Sequence, residues 1–277
     1  MSTPFRIGAI PSLNALPLTA ALREAPPAEV TVTWGAPSEL AASLHRGDLD
    51  LALIPQVEVI DSPDYRCIPD LAIACEGKVD SILLFTEKPW EAVLTVAVDT
   101  ASRTSVELVR VLFQIEFGRV PAIVPADANW TARTFDPAIA DALLVIGDRA
   151  LGERYSSVPR VDLGAHWYAR TALPFVFALW VGREGLDGEA INRVRAAAEE
   201  GLKSRAEIAR AFADENPAVL QAAEAERYLT ETLHYTLGAR EFASIDEFAT
   251  QRRAIGSPVP PGWTLPLFSE GKSGERP

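Results

Sequence analysis

Apolar and polar positions along this chain switch repeatedly between two periods. Phe5–Ile10 is a short apolar run closed by Pro11, Leu16–Arg23 has helical spacing, and Val30–Trp34 alternates apolar and polar β-branched residues before its tryptophan. Pro37–Arg46 returns to helical spacing, and Leu49–Ile54 is a continuous apolar run. A period near 3.6 marks one buried helix face and a period of 2 marks a strand, so the opening reads βαβαβ. That order predicts an α/β fold, with a largely parallel sheet covered by helices.

Ser81–Phe85 adds a strand, and the polar stretch Thr86–Glu91, with Pro89, reads as a crossing to a second lobe. The pattern then restarts: strand Thr95–Val98, helix Thr104–Phe117, strand Ala122–Val124, helix Ala138–Leu143 running into strand Leu144–Ile146, and a helix from Asp148. Phe175–Trp180 is another continuous apolar strand, where the chain returns to the first lobe. The predicted organisation is two mixed α/β lobes, residues 1–87 with 176–277 and residues 88–175, joined by two crossings with a cleft between them. From Asp187 to about Thr232 the composition predicts two helical stretches parted at Asn216–Pro217, with a solvated charged face. Ser257–Pro277, rich in proline and glycine, predicts an extended end that frays.

Composition narrows the function classes. At about 150 residues per domain, a chain of 277 residues that is 48% hydrophobic holds nearly two domains with large cores. A net charge of −12 opposes DNA, RNA and anionic membrane surfaces as partners, because binding to polyanions rests on clustered Lys and Arg. Cys67 and Cys75 form no CxxC, and of His45, His166 and His234 no two stand at i,i+4, so neither a metal site nor a redox motif is written here. No apolar run is long enough for a membrane span. Pro11, Ser12, Asn14 and Pro17 interrupt the apolar segment after Arg6, so the start reads as the first strand and loop of a cytoplasmic protein.

Candidate chemistry lies at strand-to-helix junctions, where backbone N–H groups and the positive end of a helix favour an anion. G-x-S-x-G, P-loop and G-x-G-x-x-G motifs are all absent. Asn14, in Pro11-Ser12-Leu13-Asn14, could meet a ligand at the sheet's carboxyl edge or cap the following helix. Ser38, in Pro37-Ser38-Glu39, could sit in an ordinary capped helix start or at a cleft. Thr100, Ser102, Thr104 and Ser105 put more hydroxyls before one helix than a cap needs, which favours a ligand loop, and Thr104 with Glu107 has capping-box spacing. Asp148, after Ile146-Gly147, most simply caps its helix. Ser81 stands where one lobe hands over to the other. His166 with Trp167 and Glu58 could line a site, although core packing and the surface are their commoner fates. Arg103, Arg149 and Arg170 are similarly open between anion partner and surface residue.

Taken in order, several stretches resemble the menaquinone-biosynthesis family of the futalosine route, on its chorismate dehydratase branch. They are Ile7-Gly8 with Ser12–Leu18, Pro37–Leu40, Gly47–Pro55, Ser81–Phe85, Ser102–Val106, Leu143–Leu151, and Asp162-Leu163-Gly164 through Trp167 to Leu173–Trp180. Asn216-Pro217, Tyr228 and Tyr235 extend the resemblance toward the C-terminus. Ser12 departs from an aromatic residue in the family pattern, and Ala172 departs from glycine. A sibling branch making 1,4-dihydroxy-6-naphthoate has a Cys-Pro-Asn-Asp type first loop, unlike this one. The resemblance implies a type II periplasmic-binding-protein fold with the ligand in the cleft. It implies loss of water from chorismate to give 3-[(1-carboxyvinyl)oxy]benzoate, with no cofactor and no metal, in a monomer or homodimer. Asn14 and Ser81 would be catalytic, the substrate's own enolpyruvyl carboxylate taking the proton, and Ser12, Ser38, Ser102, Thr104, Ser105 and Asp148 would bind substrate. A non-catalytic solute-binding protein for a small carboxylate is the alternative on the same fold.

Overall fold

The computed structural model describes residues 4–24, 30–99, 102–186 and 188–268. Its first half runs β1 (Phe5–Ala9), α1 (Leu16–Glu24), β2 (Val30–Trp34), α2 (Pro37–Arg46), β3 (Leu51–Pro55), α3 (Gln56–Asp61), β4 (Tyr65–Cys75), β5 (Ile82–Phe85), β6 (Thr95–Val98), α4 (Arg103–Phe117) and β7 (Ala122–Pro125). Then follow β8 (Ala142–Ile146), α5 (Gly147–Glu153), β9 (Arg160–Asp162), α6 (Leu163–Thr171), β10 (Phe175–Arg183), α7 (Gly188–Lys203), α8 (Arg205–Glu215), α9 (Ala222–Arg227), β11 (Leu233–His234) and α10 (Ala239–Ala254). No helix among the described residues is long and apolar enough to cross a membrane.

Two sheets organise these elements, in the orders β11-β4-β10-β3-β1-β2 and β7-β6-β8-β5-β9. In the first, β2, β1 and β3 are parallel, and β10 inserts antiparallel between β3 and β4. The apolar run of β3 is buried at every position, as a central strand covered on both faces requires. In the second sheet β7, β6 and β8 are parallel, while β5 runs antiparallel to β8 and β9. Two α/β lobes with two crossings are thus observed. Because β5 pairs in the second sheet, the first crossing is residues 76–81 and not Thr86–Glu91, which moves that lobe boundary earlier than residue 87. The chain returns to the first sheet at β10, after residues 172–174. Arg240 of α10 holds both crossings, donating to Glu76 at 2.7 Å and to the Ala172 carbonyl at 2.8 Å.

Other expectations change for identifiable reasons. Residues 138–143 are not a helix: the Asp136 carboxylate accepts from Ala138 N–H at 2.8 Å, making a turn that feeds β8. Pro217 begins a turn, the next helix starts only at Ala222, and the stretch before it breaks at Ser204 into α7 and α8. The Thr104–Glu107 capping box does not form, because Glu107 accepts from Arg252 and Ser257 at 2.9 and 2.6 Å. The C-terminal segment is pinned as far as it is described: Cys67 N–H donates to Pro266 O and Phe268 N–H to Cys67 O, both at 2.9 Å. Thr100 and residues 269–277 lie outside the described residues.

Ala172 has a structural consequence. It follows the last turn of α6 with φ of 56°, the left-handed conformation that glycine adopts without penalty. Ala172→Gly is expected to raise stability by about 1 kcal/mol, since the left-handed region costs an L-residue roughly 1–2 kcal/mol. Urea midpoints of the two proteins measure this, and a less stable glycine variant would contradict it.

Candidate active site

The parallel strands of each sheet present their carboxyl ends to the space between the lobes, the usual ligand position in open α/β sheets. A cavity of about 290 Å³ occupies that space, lined among others by Ser12, Asn14, Ser81, Ser102, Thr104, Ser105 and Asp148. Every candidate substrate-contact residue except Ser38 is thereby brought to one wall or another of a single cleft.

Ser38 fails for a local reason. The wall at that junction is Ala36 and Pro37. Pro37 has no N–H, and the Ala36 N–H already donates to the Glu39 carboxylate at 3.2 Å. This helix start therefore carries its own anion.

Asn14 lies in a single 3₁₀ turn, Leu13–Ala15, between β1 and α1. Ser12 Oγ donates to Asn14 Oδ1 at 2.7 Å. With its carbonyl oxygen engaged by Ser12, the amide of Asn14, which lines the cleft, has its NH₂ as the donor end for a ligand. The serine that departs from the family's aromatic residue thus orients its neighbour.

Asp148 does not cap α5. It stands in the helix's first turn and reaches across the cleft, accepting from Leu13 N–H at 3.1 and 3.3 Å through its two oxygens. Burial pushes its pKa up to about 6, with the Leu13 N–H opposing. Between the ordinary Asp value of 3.8 and about 6, the folded protein holds a proton that the unfolded chain has released. Stability contributed by this group therefore falls as pH rises through that window. Asp148→Asn is expected to flatten the pH slope of the urea midpoint across it, and an unchanged slope would contradict the assignment.

Ser81 occupies the end of the first crossing, and three contacts fix it. Asp162 accepts from Val79 N–H at 3.1 Å, Asp80 N–H at 2.7 Å and Ala165 N–H at 3.0 Å, so one carboxylate both caps α6 and clamps the residues before Ser81. Gly147 N–H donates to Ser81 O at 2.8 Å. Tyr228 Oη donates to Ser81 Oγ at 2.7 Å. Tyr228 had no assigned role in the sequence, where nothing marks a tyrosine far down the chain as a neighbour of Ser81.

The start of α4 presents several polar groups to the cleft. This helix has 15 residues, Ser102 is its N-cap, and Ser102, Thr104 and Ser105 all line the cleft. The first turn of a helix has N–H groups without intrahelical partners. Ser102 is only 5% exposed, and its Oγ is buried without a hydrogen-bond partner among the described residues. A buried hydroxyl of that kind costs free energy unless a ligand or water satisfies it. Arg103 lines the cleft too, but it bonds Glu58 across the lobes at 2.6 Å. Burial raises the pKa of Glu58, against the pull of that arginine.

The remaining candidates lie elsewhere. His166 bonds Glu116 at 2.5 Å and packs at a tilt against Trp90, and Trp167 is core, donating to Pro174 O and Ser244 Oγ. Arg170 also pairs with Glu116, while Arg149 lines a neighbouring cavity of about 230 Å³. Cys67 and Cys75 are buried thiols whose pKa values burial raises.

Among solved structures, the alkanesulfonate-binding protein of Xanthomonas axonopodis superposes with a TM-score of 0.68 at 15% identity, covering 95% of this chain and 96% of that one. A protein from Archaeoglobus fulgidus gives 0.67 at 17% identity, covering 92% and 98%. These identities establish the fold alone, that of the periplasmic binding proteins. Chorismate dehydratase of Thermus thermophilus is 31% identical over 202 residues, 66% of this chain and 73% of that protein. Chorismate dehydratase of Campylobacter jejuni is 26% identical over 257 residues, 90% and 97% respectively. The profile of the family described as menaquinone biosynthesis matches residues 5–254, nearly the whole described chain. The protein therefore belongs to the menaquinone-biosynthesis family, built on a two-lobed periplasmic-binding-protein fold.

Proposed function

We propose that this cleft dehydrates chorismate to 3-[(1-carboxyvinyl)oxy]benzoate, the entry step of the futalosine route to menaquinone, in the cytoplasm. The observation that carries the reading is the pairing of two pre-set donors with one anion seat. Asn14 and Ser81 each have an acceptor oxygen occupied by a protein hydroxyl, and both line the cavity that holds the buried, unpartnered Ser102 Oγ. A cavity of about 290 Å³ is at the small end of the ~300–1,000 Å³ of ligand pockets and suits a compact dianion.

Charge supports the same reading. Although the net charge is −12, directed N–H groups at the α4 start act at hydrogen-bond range, where distant screened carboxylates count for little. One substrate carboxylate sits at Ser102–Ser105, and the enolpyruvyl carboxylate faces the Asn14 amide. That carboxylate takes the C3 proton, and the C3–H electron pair becomes the new ring π bond. The C4–O bond breaks, and the departing hydroxide, hydrogen-bonded by Ser81, leaves with the proton as water. The ring becomes aromatic, and atoms and electrons balance without an oxidant or reductant. Closure of the lobes excludes bulk water and fixes the near-attack geometry.

Incubation of the purified protein with chorismate, followed by mass spectrometry, tests this. A product lighter by one water is expected. Tight binding with chorismate recovered intact would favour a solute-binding role, and turnover only of a larger substrate leading to a dihydroxynaphthoate would favour the sibling reaction.

A further inference from the structure

We propose that Tyr228 is a positioning residue that makes Ser81 a hydrogen-bond donor to the reacting part of the ligand. The inference rests on the function proposed above and deepens it. A serine hydroxyl has one proton and two lone pairs. Because Tyr228 Oη donates to Ser81 Oγ at 2.7 Å, the serine proton cannot lie along that line and must be directed elsewhere. The backbone around Ser81 is already committed: its carbonyl accepts from Gly147 N–H, and the two residues before it donate to Asp162. The open direction is the cleft, which both Ser81 and Tyr228 line.

Three features show that the tyrosine is built for this contact. It is 4% exposed, so its phenol group needs an internal partner, and Ser81 supplies it. It opens a π-helical turn, Tyr228–Thr232, directly after α9. The wider turn changes where side chains emerge, and such turns recur at functional sites. The same turn packs against the Leu13–Ala15 segment that bears Asn14, so one element braces both proposed donors. Burial raises the phenol pKa and keeps its proton on oxygen at neutral pH. A hydroxyl that accepts one hydrogen bond donates a stronger one, so Ser81 is better placed to stabilise charge developing on the departing oxygen.

Tyr228→Phe should lower kcat for chorismate about tenfold with KM within about twofold, a loss on the scale of one hydrogen bond. In a Ser81→Ala background the same change should cost nothing further, because there is no longer a hydroxyl to orient. A purely structural tyrosine would instead lower stability and reduce turnover by the same factor in both backgrounds. Normal kcat in Tyr228→Phe, or losses that multiply in the double variant, would overturn the proposal. If the phenylalanine variant does not fold, 4-methylphenylalanine at this position keeps the ring and its volume, removes the donor and runs the same cycle. A wild-type protein that leaves chorismate unchanged would overturn the proposed function and this inference with it, whereas wild-type turnover with a normal variant overturns the inference alone.

Discussion

Replacing Asn14 by alanine is expected to lower kcat for chorismate by about 10²-fold, because the substrate carboxylate that takes the C3 proton loses the donor that orients it, and a misplacement of about 1 Å costs that much. The fold should survive, because Asn14 is only half-buried and sits in a single 3₁₀ turn outside both sheets. Asn14→Asp is the informative companion. It keeps the shape and the contact from Ser12 but puts a carboxylate where the substrate's carboxylate belongs, so it should lose binding as well as turnover. Steady-state kinetics on the two variants separate these effects. Turnover within about twofold of wild type in the alanine variant would remove Asn14 from the chemistry.

Ser81→Ala should act on both activity and stability. Activity is expected to fall by about 10–10²-fold, since the variant keeps the Asn14 amide and the α4 seat but loses the donor at the departing hydroxyl. Stability is expected to fall by about 1–3 kcal/mol, because the buried Tyr228 hydroxyl loses the acceptor it meets at 2.7 Å. Urea midpoints and kcat measure the two effects separately. A variant with normal turnover but lowered stability would leave Ser81 a structural residue of the crossing.

The chain wrote its lobes plainly and its braces hardly at all. Pro37–Arg46 and Thr95–Val98 match their elements residue for residue because a single apolar face or run faces one core. The pattern is silent over β4, where Pro69 and Asp70, the latter at φ of 68°, break the alternation and shift the register against β10. It is equally silent over α10, whose buried face mixes Glu241, Ser244 and Arg252 with Ile245, Phe248 and Ala249, so the apolar stripe is short. Arg252 bridges Asp61 and Glu107, both at 2.9 Å, so charge pairing ties α10 to α3 and α4 where hydrophobic spacing alone gives no signal.

The candidate site was legible where one short segment carried several polar residues, as at Ser12–Asn14 and Ser102–Ser105. It was illegible wherever the decisive contact is between distant segments. Asp148 looked like a cap because its partner, Leu13 N–H, is 135 residues away. Tyr228 lies 147 residues from Ser81 and belongs to a π turn that no local pattern predicts. Asp162 belonged to the most distinctive stretch of the family resemblance, yet its clamp on Val79 and Asp80 appears only once the strands are paired. Ser38 shows the opposite case: its junction has the right composition, but Ala36 and Pro37, not Ser38, line the cleft.

Chorismate carrying deuterium at C3 is the decisive substrate. The purified protein is expected to convert it to an aromatic product lacking both the deuterium and the C4 oxygen, and Asn14→Ala is expected largely to abolish this conversion. Recovery of intact chorismate, or a product that retains the C3 deuterium, would contradict the proposed dehydration.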